Sequence, residues 1–113
     1  MNFTIDKENE LAIFRLKETR LDSLTSPALK AELLILSQEA IQVLIIDLSS
    51  VEFCDSTGLS ALLLAERQLR EKDGGVLIVD AIGKVRTLIE VAKLDAILPV
   101  FPTVDVARNA LED

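Results

Sequence analysis

Residues 43–63, VLIIDLSSVEFCDSTGLSALL, decide the fold. The first six (43–48) form an unbroken β-branched and aliphatic run. A strand with one wet face would alternate, so this run reads as a strand buried on both faces of a parallel sheet. After a polar turn the period changes. From Ser56 to about Lys72, Gly58, Leu62, Ala65 and Leu69 fall on one helical stripe. Asp73-Gly74-Gly75 ends that helix, glycine being suited to a left-handed C-cap, and residues 76–79 (VLIV) supply a second fully apolar strand. Strand, helix and strand joined by short links make a right-handed parallel crossover.

The same reading extends in both directions. Residues 2–7 (NFTIDK) and 11–16 (LAIFRL) are short strands around a tight turn at Glu8-Asn9, where asparagine tolerates left-handed geometry. Ser26-Pro27 reads as a cap followed by a first-turn proline, and Leu29, Leu33, Leu36 and Ala40 continue the helix. A third helix over 84–94 places Val85, Leu88, Ile89 and Ala92 on one face. A short strand falls at Pro99 to Phe101, and a fourth helix starts from Thr103 with Val106, Ala107, Ala110 and Leu111. The predicted order is β-β-α-β-α-β-α-β-α. That is one α/β domain over 1–113, with four helices and a sheet of four or five strands, mostly parallel with an antiparallel leading strand.

Composition narrows the function. The chain has 113 residues, half of them hydrophobic, with 12 Lys plus Arg against 19 Asp plus Glu, a formal charge of −7. Such a surface repels phosphate backbones and anionic membranes, so nucleic acid and direct membrane insertion are not expected as partners. With no His and a single Cys, Cys54, the chain lacks His-based metal sites, Ser-His-Asp or Cys-His catalysis and any internal disulfide. The amino-terminal MNFTIDKENE is polar and acidic, unlike a signal or transit peptide. A reduced, cytoplasmic, non-enzymatic domain without cofactor or metal is expected.

The informative segment is Val51-Glu52-Phe53-Cys54-Asp55-Ser56-Thr57-Gly58-Leu59. It follows the most buried strand and opens a helix, and the carboxyl ends of strands are where open α/β sheets build sites. A hydroxyl or carboxylate here is an ordinary N-cap. Three candidates for one cap are a surplus, and Gly58 inside the helix costs about 1 kcal/mol relative to alanine. A small residue there suits close approach of another backbone or of a partner.

This stretch, a hydrophobic strand ending in Asp47-Leu48 and then Asp55-Ser56-Thr57-Gly58-Leu59 opening a helix, resembles the signature of STAS domains. These are the modules of bacterial anti-sigma factor antagonists. Arg20-Leu21-Asp22 matches the family's Leu-Asp element, and the segment from Val76 through Lys93-Leu94-Asp95 to Ala110-Leu111 matches its later strand–helix pattern. Thr19 departs from the glycine that family members often carry there. The resemblance implies a phosphorylation site at Ser56, with Asp55, Thr57 and Gly58 as its motif neighbours and Asp22 in the partner surface. It implies an unphosphorylated form that binds an anti-sigma factor with serine kinase activity, releasing a sigma factor. Phosphorylation breaks that complex and a serine phosphatase restores it. Thr57 is itself phosphorylatable. Leu59, Leu63 and Leu64 lie off the centre of the helical stripe; they fit packing against flanking helices, or, for Leu59 and Leu63, an apolar partner surface beside Ser56.

Other assignments fit less well. Asp47 at a strand end suggests the phospho-accepting aspartate of a receiver domain, but the acidic pair and late-strand lysine of that chemistry are missing, so it is expected to bond the following turn. Cys54, with no His or second Cys nearby, reads as a partly buried structural thiol. No G-x-x-x-x-G-K-[ST] or G-x-G-x-x-G loop occurs to cradle phosphates. A hydrolase using Ser56 lacks a base. The alternative within the family is a STAS regulatory subunit of a lipid-trafficking ABC transporter assembly.

Overall fold

The apolar run at the centre of the sequence becomes the centre of the sheet. In the computed structural model, which describes residues 1–112, Phe3–Glu8 (β1) and Leu11–Leu16 (β2) form an antiparallel hairpin, with Phe3 opposite Leu16 and Glu8 opposite Leu11. Asn9 takes the turn at φ 56°, a left-handed geometry that asparagine accepts at low cost. Val43–Asp47 (β4) lies parallel to β2, and Gly75–Val79 (β6) lies parallel to β4 on its other side. Val100–Phe101 (β7) closes the far edge, giving the order β1-β2-β4-β6-β7.

Both faces of that sheet are covered, which is why β4 carries no polar alternation. Leu44 and Ile46 point into the main core beneath Ser26–Ser37 (α1), Ser56–Arg70 (α2) and Gly83–Val91 (α3). Ile45 points the other way, into a smaller cluster with Ile13, Val79 and Ala107 under Val104–Leu111 (α4). Burial of these side chains at about 1.5–3 kcal/mol each is the main stabilising term of the fold.

Several sequence expectations need correction. Arg20–Leu21 (β3) and Phe53–Cys54 (β5) form a separate two-stranded parallel pair, absent from the predicted order because two residues show no period. The N-cap position of α1 is Thr25, not Ser26, with no side-chain capping bond, and the helix ends at Ser37, leaving Ala40 exposed beyond it. The left-handed residue after α2 is Asp73 (φ 62°), not a glycine. Gly74 serves another purpose: a Cβ there would stand 1.9 Å from the carbonyl oxygen of Gln42. In α3 Val85 and Ile89 are buried, but Ala92 lies beyond the helix and is exposed. In α4 only Ala107 of the expected face is buried.

Candidate functional site

Gly58 explains how the site is assembled. A Cβ on it would meet Leu21 Cγ at 2.6 Å, the Leu21 carbonyl oxygen at 2.8 Å and Cys54 Sγ at 2.9 Å. The small residue lets β3 lie against the first turn of α2, so the close approach is by the chain's own backbone. The β3–β5 pairing and the bond from Asp55 N to Leu21 O, 3.1 Å, lock the same junction. The Asp22 turn is thereby set beside the amino terminus of α2.

The three candidate caps divide the work. Asp55 is the N-cap, its Oδ1 accepting from Thr57 N (2.9 Å) and Gly58 N (3.3 Å). The Thr57 hydroxyl donates to the same oxygen. That hydroxyl bond, with the two N–H groups, holds the Asp55 carboxyl below its ordinary pKa against desolvation and the smaller opposing charge of Asp22. Ser56, the first residue of the helix, is exposed. Among the described residues its hydroxyl and backbone N–H have no protein partner; only its carbonyl is engaged, by Ser60 Oγ at 2.9 Å.

Asp22 is built in from the other side. Its Oδ2 accepts from Arg20 Nε at 3.1 Å and its Oδ1 from Leu24 N at 3.0 Å. The Arg20 bond, followed by the Leu24 N–H, holds this carboxyl low as well. The Arg20 guanidinium also stacks over Phe53, 4.3 Å from the ring centroid. The turn exposes a large apolar side chain that sequence reasoning passed over: Leu24 is 88% exposed, and the Phe53 under Arg20 is exposed as well. A leucine between Ser23 and Thr25 in a polar turn was the available signal.

Of the leucines that fitted either packing or a partner surface, Leu59 is buried in the core at 6% exposure, so the partner-surface role is corrected to packing. Leu63 is partly buried against the same core. Asp47 Oδ1 accepts from Ser49 N at 2.8 Å, as expected of a turn-bonding residue. Cys54 is buried, and burial, then the Asp55 charge, push its thiol up to about 11. A thiol so raised is a weak nucleophile. The site therefore presents a free alcohol whose neighbouring carboxylate is committed to capping, next to an apolar and acidic turn.

Comparison with known proteins agrees with this architecture. The model of the STAS domain family matches residues 2–107. The chain belongs to the STAS domain family. This STAS domain is 27% identical over 112 residues to BtrV of Bordetella bronchiseptica, a candidate anti-sigma factor antagonist, covering 99% of the chain and 96% of the relative. It superposes on the crystal structure of an anti-sigma factor antagonist from Mycobacterium paratuberculosis with a TM-score of 0.88 at 28% identity, covering 99% and 94% of the two chains. Unphosphorylated SpoIIAA, at 20% identity and covering 98% and 96%, shares the STAS fold with a TM-score of 0.83. Proteins so described are regulatory binding proteins, and among the described residues no helix of this STAS domain is long and apolar enough to cross a membrane.

Proposed function

We propose that this STAS domain is an anti-sigma factor antagonist whose binding is switched by phosphorylation of Ser56. The unphosphorylated surface around Ser56, Asp22 and Leu24 docks an anti-sigma factor that is also a serine kinase, a sigma factor is released, and a serine phosphatase resets the switch. The observation that carries this reading is the contrast between two adjacent hydroxyls. Ser56 Oγ is exposed and unpartnered among the described residues, whereas Thr57 Oγ1 is bonded to Asp55. A kinase reaches the first without breaking a side-chain bond and the second only by breaking its bond to Asp55.

The physical consequence suits a switch. Phosphoserine carries about −1.5 to −2 charges and three strong acceptor oxygens. On the first residue of a helix it faces a free N–H and the positive end of the dipole, so the modified chain has internal compensation. In a desolvated contact beside Asp22 and Asp55 the same dianion lacks a matching cation, because Arg20 is already shared between Asp22 and Phe53.

Incubation with ATP and the cognate anti-sigma factor kinase should add one phosphate, located on Ser56 by tandem mass spectrometry and lost in Ser56→Ala. Phosphate confined to Thr57, or incorporation unchanged in Ser56→Ala, would overturn the assignment.

A further inference from the structure

We infer that Ser26 and Thr57 form a hydroxyl relay that makes the Asp22–Leu24 turn respond to the state of Ser56. The inference rests on the reading of Ser56 as the modified residue, and deepens it.

Ser26 is buried, and its Oγ lies 2.6 Å from the carbonyl oxygen of Asp22 and 3.1 Å from Thr57 Oγ1. Thr57 Oγ1 in turn bonds Asp55 Oδ1. This makes three contacts for two hydroxyl protons, since each hydroxyl donates once. Neither terminal acceptor depends on its hydroxyl. The Asp22 carbonyl already accepts from Ser26 N at 2.8 Å and Thr25 N at 3.2 Å, and Asp55 Oδ1 already accepts from two N–H groups. The Thr57 proton therefore has two stations: the Asp55 carboxylate, where the bond is short and charge-assisted and holds it in the unmodified chain, and Ser26 Oγ, 3.1 Å away.

A phosphate on Ser56 biases the choice. It repels the Asp55 carboxylate and competes with it for the first-turn N–H groups. As Asp55 loosens, the Thr57 hydroxyl turns to donate to Ser26 Oγ. Ser26, now both accepting and donating, bonds the Asp22 carbonyl more strongly, because a hydroxyl that accepts a bond is a better donor. The Asp22 carbonyl and the Leu24 N–H held by Asp22 Oδ1 thus register the event. Thr57 and Ser26 are positioning residues in this scheme, coupling the modified hydroxyl to the apolar side chain of the docking turn.

The test needs neither kinase nor partner, so its outcome is separate from that of the phosphorylation assay. The full chain is made with phosphoserine incorporated at position 56, and its amide resonances are compared with those of the unmodified chain. Resonances of Asp22, Leu24 and Thr25 should shift. In Thr57→Val and in Ser26→Ala those shifts should shrink by about threefold or more, while Thr57→Ser, which keeps the hydroxyl, should retain them. Thr57 is exposed, so its valine variant tests the relay even where Ser26→Ala folds poorly. Absence of the shifts in the phosphorylated chain, or shifts of the same size in Thr57→Val, would overturn the relay; the latter would assign them to the phosphate field or to the Asp55–Leu21 backbone bond.

Discussion

An alanine inside a helix ordinarily gains about 1 kcal/mol over glycine, and Gly58 is a residue where that gain is reversed. Its Cβ would press on the Leu21 carbonyl and Cys54 Sγ, groups held by the β3–β5 pairing. Overpacking of this kind costs about 1–3 kcal/mol. Gly58→Ala should therefore lower stability by about 1–2 kcal/mol, seen as a lower urea midpoint at unchanged slope; a stabilised variant would show that the junction yields. The sequence pointed to a close approach at Gly58 but not to its source, because Leu21 belongs to a strand too short to be read. Cys54 gives a second residue-scale prediction. With its thiol at about 11 rather than 9.0, alkylation at pH 8 should run about a hundredfold slower in the folded chain than in denaturant. A pKa raised on folding means the contribution is complete below the unfolded value and is lost as pH rises through the folded one, so stability should decline between 9.0 and about 11. Asp22 and Asp55 behave oppositely. Their folded values are lowered, so their contribution is present above the unfolded value and lost as pH falls through the folded ones. In Asp55→Asn the loss of stability below about pH 4 should be shallower in acid titrations followed by circular dichroism, and an unchanged acid limb would count against its capping role.

At the scale of elements, the end of α2 shows how one glycine pair divides into two unlike positions. Gly74 packs on the Gln42 backbone, where an added Cβ would lie 1.9 Å from the carbonyl oxygen, whereas a Cβ added at Gly75 would meet nothing within 4 Å. Gly74→Ala should cost about 3 kcal/mol, since a backbone carbonyl cannot step aside as a side chain can. Gly75→Ala should stay within about 1 kcal/mol of the parent. Equal effects of the two in thermal unfolding would refute the distinction. The sequence Asp73-Gly74-Gly75 correctly marked the helix end, yet the left-handed residue is Asp73, and the tight contact is with a segment more than thirty residues earlier. That segment is tied down again by Lys72, whose Nζ donates to the carbonyls of Ser37 (2.8 Å) and Glu39 (2.7 Å), the unsatisfied end of α1. Long-range capping of this sort leaves no periodic trace. Local capping does: Thr103 was legible as the start of α4, and its Oγ1 accepts from Val106 N at 3.1 Å. The buried face of α4 was misread because so short a helix touches the sheet mainly through Val104 and Ala107.

For the whole molecule, the legible part of the fold is the part that burial on two faces dictates. The runs 43–48 and 76–79 read as interior parallel strands, and they became β4 and β6, with Leu44 and Ile46 facing one layer of helices and Ile45 the other. Ser56 was placed at the start of the second helix for the same reason, since its motif follows the most buried strand. The β3–β5 junction was not legible, because it depends on pairing between segments about thirty residues apart, whereas the exposed Leu24 left a local signal that was passed over. That junction bears on how a phosphate at Ser56 acts globally. The modified residue lies on the rim, exposed, while the core beneath it is fixed by Leu21, Leu62, Leu44, Ile45 and Ile46, all essentially fully buried. A phosphate in that position meets a free helix N–H and screened carboxylates, whose repulsion in solvent decays within about 10 Å. The net change in folding stability should be about 1 kcal/mol or less, a melting shift of no more than about 4–8 °C. Partner affinity should fall by at least about tenfold, because the dianion entering a desolvated contact has no free cation to meet it. Ser56→Asp should reproduce only part of that loss, carrying one charge on a shorter arm, and Ser56→Ala should stay bound. Calorimetric titration with the anti-sigma factor, run beside hydrogen exchange on both forms, decides the matter. Weakened binding with exchange changes confined to the Asp22 turn and the first turn of α2 is the expected result. Loss of protection across β4 and β6 would mean that the switch works by loosening the core, and surface blocking would then be the wrong account.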